Sequence, residues 1–377
     1  MRPRARPRRQ NPPPRSRPPA SRRPRRRTAC SRPTSPRRTQ RPPQKARPRP
    51  QIREKGSCMK LSKKTARKTA DPGLELSALF FVNGEKKQDL CEDSYALGAH
   101  DGEVFLGVFD GCGGSGARVY DVYGGHTGAY LASRIASGAA YDWFQNEEPP
   151  AALEQDIARA LQCYKENASG SSGIRSSMAK DFPTTAAAAK CSCSPSRVDA
   201  DFLWCGDSRG FLMTADGLKQ ITVDDVQHTV DGPDMRSDGI MTSVCSASKP
   251  FHLHEKQVSC SQPCIVLTAT DGGFGYVESP IQFEALLLDT LLQSSSIEDW
   301  REKLFGILKK ISADDYTMCL ACFGYASFAD LKKAFEPRHK ALLETYLAVW
   351  NDSTQEQQQQ LWLEYAADYL SEQDDVK

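Results

Sequence analysis

Two periodicities alternate along the chain from about residue 74 onward. Leu76 to Asn83 is a short apolar run that stops at Asn83-Gly84, the pattern of a strand and its turn. Ser94 to Ala99 and Val104 to Phe109 flank His100-Asp101-Gly102 and predict a hairpin. The second of these runs is apolar almost throughout, as expected of a central strand covered on both faces. Thr127 to Tyr141 and Ala152 to Glu166 carry small and apolar residues at helical spacing, so two helices follow. The Ser/Gly-rich stretch 167–180 predicts a loop. Thr184 to Lys190, Phe202 to Cys205 and Gly210 to Ala215 predict further strands, with Asp216-Gly217 as a hairpin turn, and Ile265 to Ala269 is another buried run.

Ser279-Pro280 reads as the cap and first-turn proline of a helix through Leu291. Ser296 with Asp299 opens a second helix to about Ile311, and Tyr316 to Phe323 is a last strand. Phe335 to Trp350 and Gln355 to Leu370 predict a helical hairpin, with Ser353 and Glu356 as a capping box and Leu342, Leu343, Tyr346, Leu347 and Trp350 as one buried stripe. Many short strands with helices clustered in pairs argue for an α+β fold and against a doubly wound parallel sheet.

Charge divides the chain. The 377 residues carry 50 Lys+Arg and 47 Asp+Glu, yet residues 1–55 hold 21 of the basic residues and one acid, Glu54. The remainder is therefore strongly acidic. Residues 1–58, with 14 of the 24 prolines by position 55, predict a disordered Arg/Pro-rich tail, because so few apolar groups cannot offset chain entropy. Three readings stand for it: a polybasic arm for nucleic acid or an anionic membrane surface, an organellar transit peptide, or sequence upstream of a true start at Met59. Residues 59–325 read as the catalytic-type domain and 326–377 as a C-terminal helical extension. No run of 18 or more apolar residues occurs, so no membrane span is expected. Thirteen cysteines without a framework suit reduced thiols and a cytoplasmic location. Cys319 with Cys322 and Cys191 with Cys193 lie in or beside strand-like runs and read as core thiols in preference to a zinc site.

The chemistry concentrates where apolar strands end in acids. Asp110-Gly111 follows Val-Phe-Leu-Gly-Val-Phe, Asp271-Gly272 follows Ile-Val-Leu-Thr-Ala-Thr, Asp207 follows Phe-Leu-Trp-Cys-Gly, and Asp314-Asp315 precedes Tyr316. One Asp-Gly pair is an ordinary turn. Four acids, each beside a buried strand, predict a carboxylate cluster if those strand ends share an edge. Such a cluster needs a cation, and hard oxygen ligands suit Mg²⁺ or Mn²⁺.

In order, Glu92-Asp93, Leu106 to Gly114, Pro183-Thr-Thr-Ala, Cys205-Gly-Asp207-Ser208-Arg209-Gly, Val266 to Gly272 and Asp314-Asp315-Tyr-Thr-Met resemble the motif series of the PPM-type (type 2C-like) serine/threonine protein phosphatases. The resemblance spans about residues 76–325 and is closest in pattern to a divergent bacterial branch. It implies a four-layer α-β-β-α sandwich with two central antiparallel sheets, here followed by the helical hairpin. It also implies two Mn²⁺ or Mg²⁺ ions per site, with a phosphoprotein substrate hydrolysed by a metal-bridging hydroxide. Asp110 would bridge the ions, Asp271 and Asp314 would complete one, and the Gly111 carbonyl with Glu92 and Asp93 would serve the other. Asp207 matches the acid that helps hold a third ion.

Departures from the family pattern matter too. Gln88 stands where the family usually places a phosphate-binding Arg, leaving Lys86, Lys87 or Arg118 as candidate cations. Cys112 replaces the His usual after Asp-Gly, and His126 is the candidate acid in its place. Gly275 stands where many relatives carry a further acid, and the segment from Asp207 to Asp271 is short. An alternative is therefore a catalytically impaired pseudophosphatase that acts as a binding module. Nucleic acid enters only through the tail, and the sequence leaves the oligomeric state open.

Overall fold

The computed structural model describes residues 73–168, 180–227, 239–350 and 353–373. The chain divides into Met1–Gln51 and Ile52–Lys377, and all described residues belong to the second unit. The basic tail, most of the Ser/Gly-rich loop and the Met235 to Asp238 segment lie outside the described residues.

Ten strands build two five-stranded sheets. The first contains β1 (Leu76–Gly84), β6 (Arg209–Thr214), β7 (Gly217–Gln220), β9 (Cys264–Ala269) and β10 (Tyr316–Phe323), in the order β1-β10-β9-β6-β7. The second contains β2 (Ser94–His100), β3 (Glu103–Phe109), β4 (Ala186–Cys193), β5 (Val198–Cys205) and β8 (His254–Cys260), in the order β8-β5-β4-β3-β2. Every neighbouring pair is antiparallel. The β2–β3 hairpin turns at Asp101-Gly102, both with positive φ, as a two-residue turn requires.

The period-two alternation of β10 shows why the sheets stack. Tyr316, Met318, Leu320 and Cys322 face one core, while Cys319, Ala321 and Phe323 face another. The second of these cores is the seam between the sheets, where Leu106, Val108 and Trp204 meet Val266 and Phe323. Two helices, α1 (Gly128–Gln145) and α2 (Ala152–Asn167), cover the outer face of the second sheet through Leu131, Trp143, Phe144 and Leu161. On the outer face of the first sheet lie α3 (Pro280–Leu292), α4 (Ile297–Ile311), α5 (Phe328–Leu342) and α6 (Gln355–Tyr369). The result is the α-β-β-α sandwich with a C-terminal helical pair. Cys191, Cys319 and Cys322 are buried strand residues whose thiols burial pushes up, as core packing implies.

Several boundaries differ from the sequence pattern for identifiable reasons. The β6–β7 turn is Ala215-Asp216, because Gly217 already pairs with Thr214. The strand expected from Thr184 starts at Ala186 and runs to Cys193, since Thr184 and Thr185 are engaged by Asp110 and Cys245. Helix α5 begins seven residues before Phe335, with Ser327 as its cap, and the capping box of α6 is Thr354 with Gln357. Leu342 is buried but Leu343 is exposed, and α6 adds Trp362, Tyr365 and Tyr369 to the same core. Strand β8 escapes the pattern because its early residues alternate at a sheet edge, where Glu255 and Gln257 face solvent.

Candidate metal centre

Antiparallel pairing brings the strand-end acids to one edge. Ser94 pairs with Phe109, Ala186 with Cys205, Ala269 with Met318, and Ala269 also with Arg209. The start of β2, the end of β3, the β5–β6 turn, the end of β9 and the start of β10 therefore share one end of the sandwich. Glu92-Asp93, Asp110, Asp207, Asp271 and Asp314 occupy those five places.

Each acid is held differently. Asp93 is buried and accepts hydrogen bonds of 2.8 Å from the Thr270 and Thr317 hydroxyls, which join it to the opposite sheet. Burial pushes its carboxyl up to about 8, against the pull of those hydroxyls and with the charges of Asp271 and Asp315 adding to the rise. Asp110 is framed through its backbone: its carbonyl accepts from the Thr184 hydroxyl and the Thr185 amide, both at 2.8 Å. Its carboxyl is pushed well above the ordinary range by burial and then by Asp271, Asp93, Asp207 and Asp314. Asp207 is raised to about 7 by burial and by Asp271 and Asp224, and among the described residues its buried Oδ1 has no hydrogen-bond partner.

Glu92 is raised by burial and eased by the Thr127 hydroxyl, which donates to its Oε1 at 2.5 Å. Thr127 also caps α1 by accepting the Tyr130 amide, so the helix start and Glu92 share one hydroxyl. Asp271 accepts from the Gly272 amide at 2.6 Å. Asp314 is exposed, and its Oδ1 accepts from the Asp315 amide at 2.9 Å. The two Asp-Gly pairs require glycine: a Cβ at Gly111 would overlap the Ala129 carbonyl, and one at Gly272 the Asp315 carbonyl.

The candidate phosphate and proton groups lie less centrally. Lys86 and Lys87 are exposed on the β1–β2 loop. The His126 ring lies flat on Tyr130 at 4.0 Å, and among the described residues no carboxylate takes a hydrogen bond from it. Arg118 is engaged elsewhere, 3.3 Å from Asp181 and over the Tyr120 ring. Cys112 is pushed well above its ordinary range, first by burial and then by Asp110 and Asp207, so it stays a thiol.

The residues that support the acids carry no motif of their own. Asp315 accepts the backbone amides of Lys86 at 2.7 Å and Glu92 at 2.8 Å, pinning the β1–β2 loop to the start of β10. Arg209 grips Asp224 with hydrogen bonds of 2.6 to 3.1 Å beside Asp207. The only advance signal was adjacency: Thr270, Asp315 and Arg209 each stand within two residues of a named acid.

The family model described as Protein phosphatase 2C matches residues 83–309. The chain belongs to this family. The match holds the acids from Glu92 to Asp271; Asp314 and the last two helices lie beyond it. Among solved structures, this phosphatase 2C chain is similar to the serine/threonine phosphatase Stp1 from Staphylococcus aureus, with 19% identity over 68% of this chain and 98% of the other, at a TM-score of 0.49. It is similar to the catalytic domain of the serine/threonine phosphatase PstP, solved with two manganese ions, with 15% identity, 66% and 98% coverage and a TM-score of 0.45. It is also similar to RsbX in complex with magnesium, with 17% identity, 66% and 99% coverage and a TM-score of 0.42. No curated protein matches the chain. Among its described residues no helix is long and apolar enough to cross a membrane.

Proposed function

We propose that this protein is a Mn²⁺- or Mg²⁺-dependent phosphoserine/phosphothreonine protein phosphatase. The observation that carries the reading is the buried Oδ1 of Asp207, unpartnered among the described residues, in a cluster where the charge of Asp271 helps to raise the carboxyls of Asp93, Asp110 and Asp207. Such a cluster stays ionised at neutral pH only if a cation offsets its charge. Among the described residues no three His, Cys, Asp or Glu side chains form a ready metal-holding group, so binding would have to draw the carboxylates together. The donor set is nonetheless all oxygen, which suits hard divalent ions.

The groups that would hold two ions are Glu92, Asp93, Asp110, the Gly111 carbonyl, Asp271 and Asp314, with Asp207 for a third. Bound there, the ions would supply Lewis-acid stabilisation of phosphoryl transfer to water. The chain's own residues would do the rest. Thr270 and Thr317 orient Asp93, Thr127 orients Glu92, and the exposed Lys86 and Lys87 attract the phosphate dianion as point charges without the fork of an arginine. His126 would protonate the leaving alkoxide only if its ring left Tyr130.

That last condition, with Arg118 engaged by Asp181 and Gln88 in the usual arginine position, favours a second reading as a pseudophosphatase binding module. Hydrolysis of a chromogenic aryl phosphate separates the two. The enzyme reading expects turnover with Mn²⁺ that chelator abolishes, whereas metal uptake without turnover supports the binding module.

A further inference from the structure

Asp207 stands in the short turn between β5 and β6, and among the described residues nothing hydrogen-bonds to its buried Oδ1. The direction of that carboxylate is therefore set largely by the backbone that carries it. The neighbours of Asp207 are each anchored. The Ser208 hydroxyl lies 2.6 Å from that of Thr185, and the Arg209 guanidinium is bidentate to Asp224. On the other side Gly206 has a φ of 99°, and a Cβ there would lie 2.8 Å from Thr185 Cγ2, so only glycine fits the turn.

Gly206 itself is held by Asp225. Its amide donates to Asp225 Oδ2 at 2.9 Å, and the Asp225 amide donates back to the Gly206 carbonyl at 2.9 Å. Asp224 and Asp225, consecutive in the chain, thus grip the turn on the two sides of Asp207. Asp225 is restrained in its turn. His254 Nε2 donates to its Oδ1 at 2.9 Å, and the Thr242 amide and hydroxyl donate to its carbonyl at 2.7 and 2.9 Å. His254 opens β8, where it pairs with Trp204 of β5 and its ring stacks on the indole at 5.2 Å. One carboxylate, with an oxygen for each donor, therefore braces the Gly206 turn against the edge of the second sheet.

We infer that Asp225 is a positioning residue for the metal centre: braced by His254, it fixes Gly206 and so the turn from which Asp207 presents its carboxylate to an ion. This rests on the metal-dependent reading above. Among the described hydrogen bonds none joins Asp225 to Asp207, so the effect passes through Gly206. A purely structural residue would act through stability alone, whatever stands at position 207.

The test is a double-mutant cycle on the full chain, Asp225→Ala with and without Asp207→Asn, reading Mn²⁺ affinity by calorimetry and fold by thermal melting. With Asp207 present, Asp225→Ala is expected to weaken Mn²⁺ binding about tenfold, the scale seen when an outer support of a metal ligand is removed. In the Asp207→Asn background it should change nothing further. Asp225→Asn keeps one acceptor for the Gly206 amide and should retain most of the affinity. If Asp225→Ala does not fold, His254→Ala takes its place in the cycle, with a smaller loss that again depends on Asp207. Glu284→Gln, in the outer helical layer, supplies a destabilised chain with an intact turn. No weakening, weakening of equal size in both backgrounds, or the same loss in Glu284→Gln overturns the inference while the phosphatase reading stands. Failure of the unaltered chain to take up Mn²⁺ overturns both.

Discussion

In the outer helical layer Glu284 is fully buried, and Arg338 grips it with hydrogen bonds of 2.7 and 2.8 Å while Tyr365 adds a third. Asp93, Asp110 and Asp207 share one end of the sandwich, and among the described residues no lysine or arginine hydrogen-bonds to any of their carboxylates. Both places take charge out of water. In the first the protein supplies the counter-charge; in the second it supplies mainly threonine hydroxyls and leaves the acids to repel one another. A fold that can pair a buried acid this well in one layer has no physical need to leave several unpaired in another, unless something outside the chain completes them. Helix α6 takes part in the first regime through Tyr365 on Glu284, while its Tyr369 hydroxyl donates to Gln220.

The contrast breaks most sharply with Asp110→Asn. Removing one charge from the cluster should cut Mn²⁺-dependent hydrolysis by about two orders of magnitude or more, and should also raise the metal-free melting temperature, by about 2–4 °C for each kcal/mol of repulsion relieved. Glu284→Gln should do the opposite. Leaving Arg338 buried without its partner should cost about 3–5 kcal/mol of stability, read by denaturant unfolding, while the folded fraction keeps its Mn²⁺ affinity. Loss of stability in both variants would mean that the two acid sites do not differ in kind.

A pH series sharpens the same contrast. The Asp207 carboxyl sits at about 7 in the folded chain, above its unfolded value of roughly 3.9. The folded state therefore binds the extra proton between those values, so this group's contribution is intact below about pH 4 and is lost as pH rises toward 7. Metal-free melting of Asp207→Asn should match the unaltered chain near pH 4 and exceed it increasingly up to pH 7. A constant difference across that range would contradict the assignment. The smallest effect is expected at the mouth of the site, where the double replacement Lys86→Ala with Lys87→Ala should raise KM for an aryl phosphate a few-fold and leave kcat nearly unchanged.

Much of the site was legible before the fold. Acids next to apolar runs reveal strand ends, and antiparallel pairing is enough to gather Asp93, Asp110, Asp207 and Asp271 at one edge. What escaped was whatever depends on partners distant in sequence. Thr317 supports Asp93 from 224 residues away, and Asp315 holds Glu92 from 223 residues away. Helix α5 starts earlier than its apolar pattern predicts because Asp330, Lys332 and Lys333 dilute the first two turns, so the signal for its start lies in the Ser327 cap. The buried stripe of the C-terminal pair is shared: α5 contributes Leu331, Phe335 and Leu342, and α6 adds Trp362, Tyr365 and Tyr369, aromatic rings at one-turn spacing.

The account stands most directly on a Mn²⁺ titration of the full chain, followed by aryl phosphate hydrolysis with and without chelator. It predicts uptake of at least two ions, hydrolysis that appears with them, and loss of both in Asp271→Ala. A chain that binds no Mn²⁺, or hydrolysis that persists unchanged in chelator and in Asp271→Ala, would contradict it.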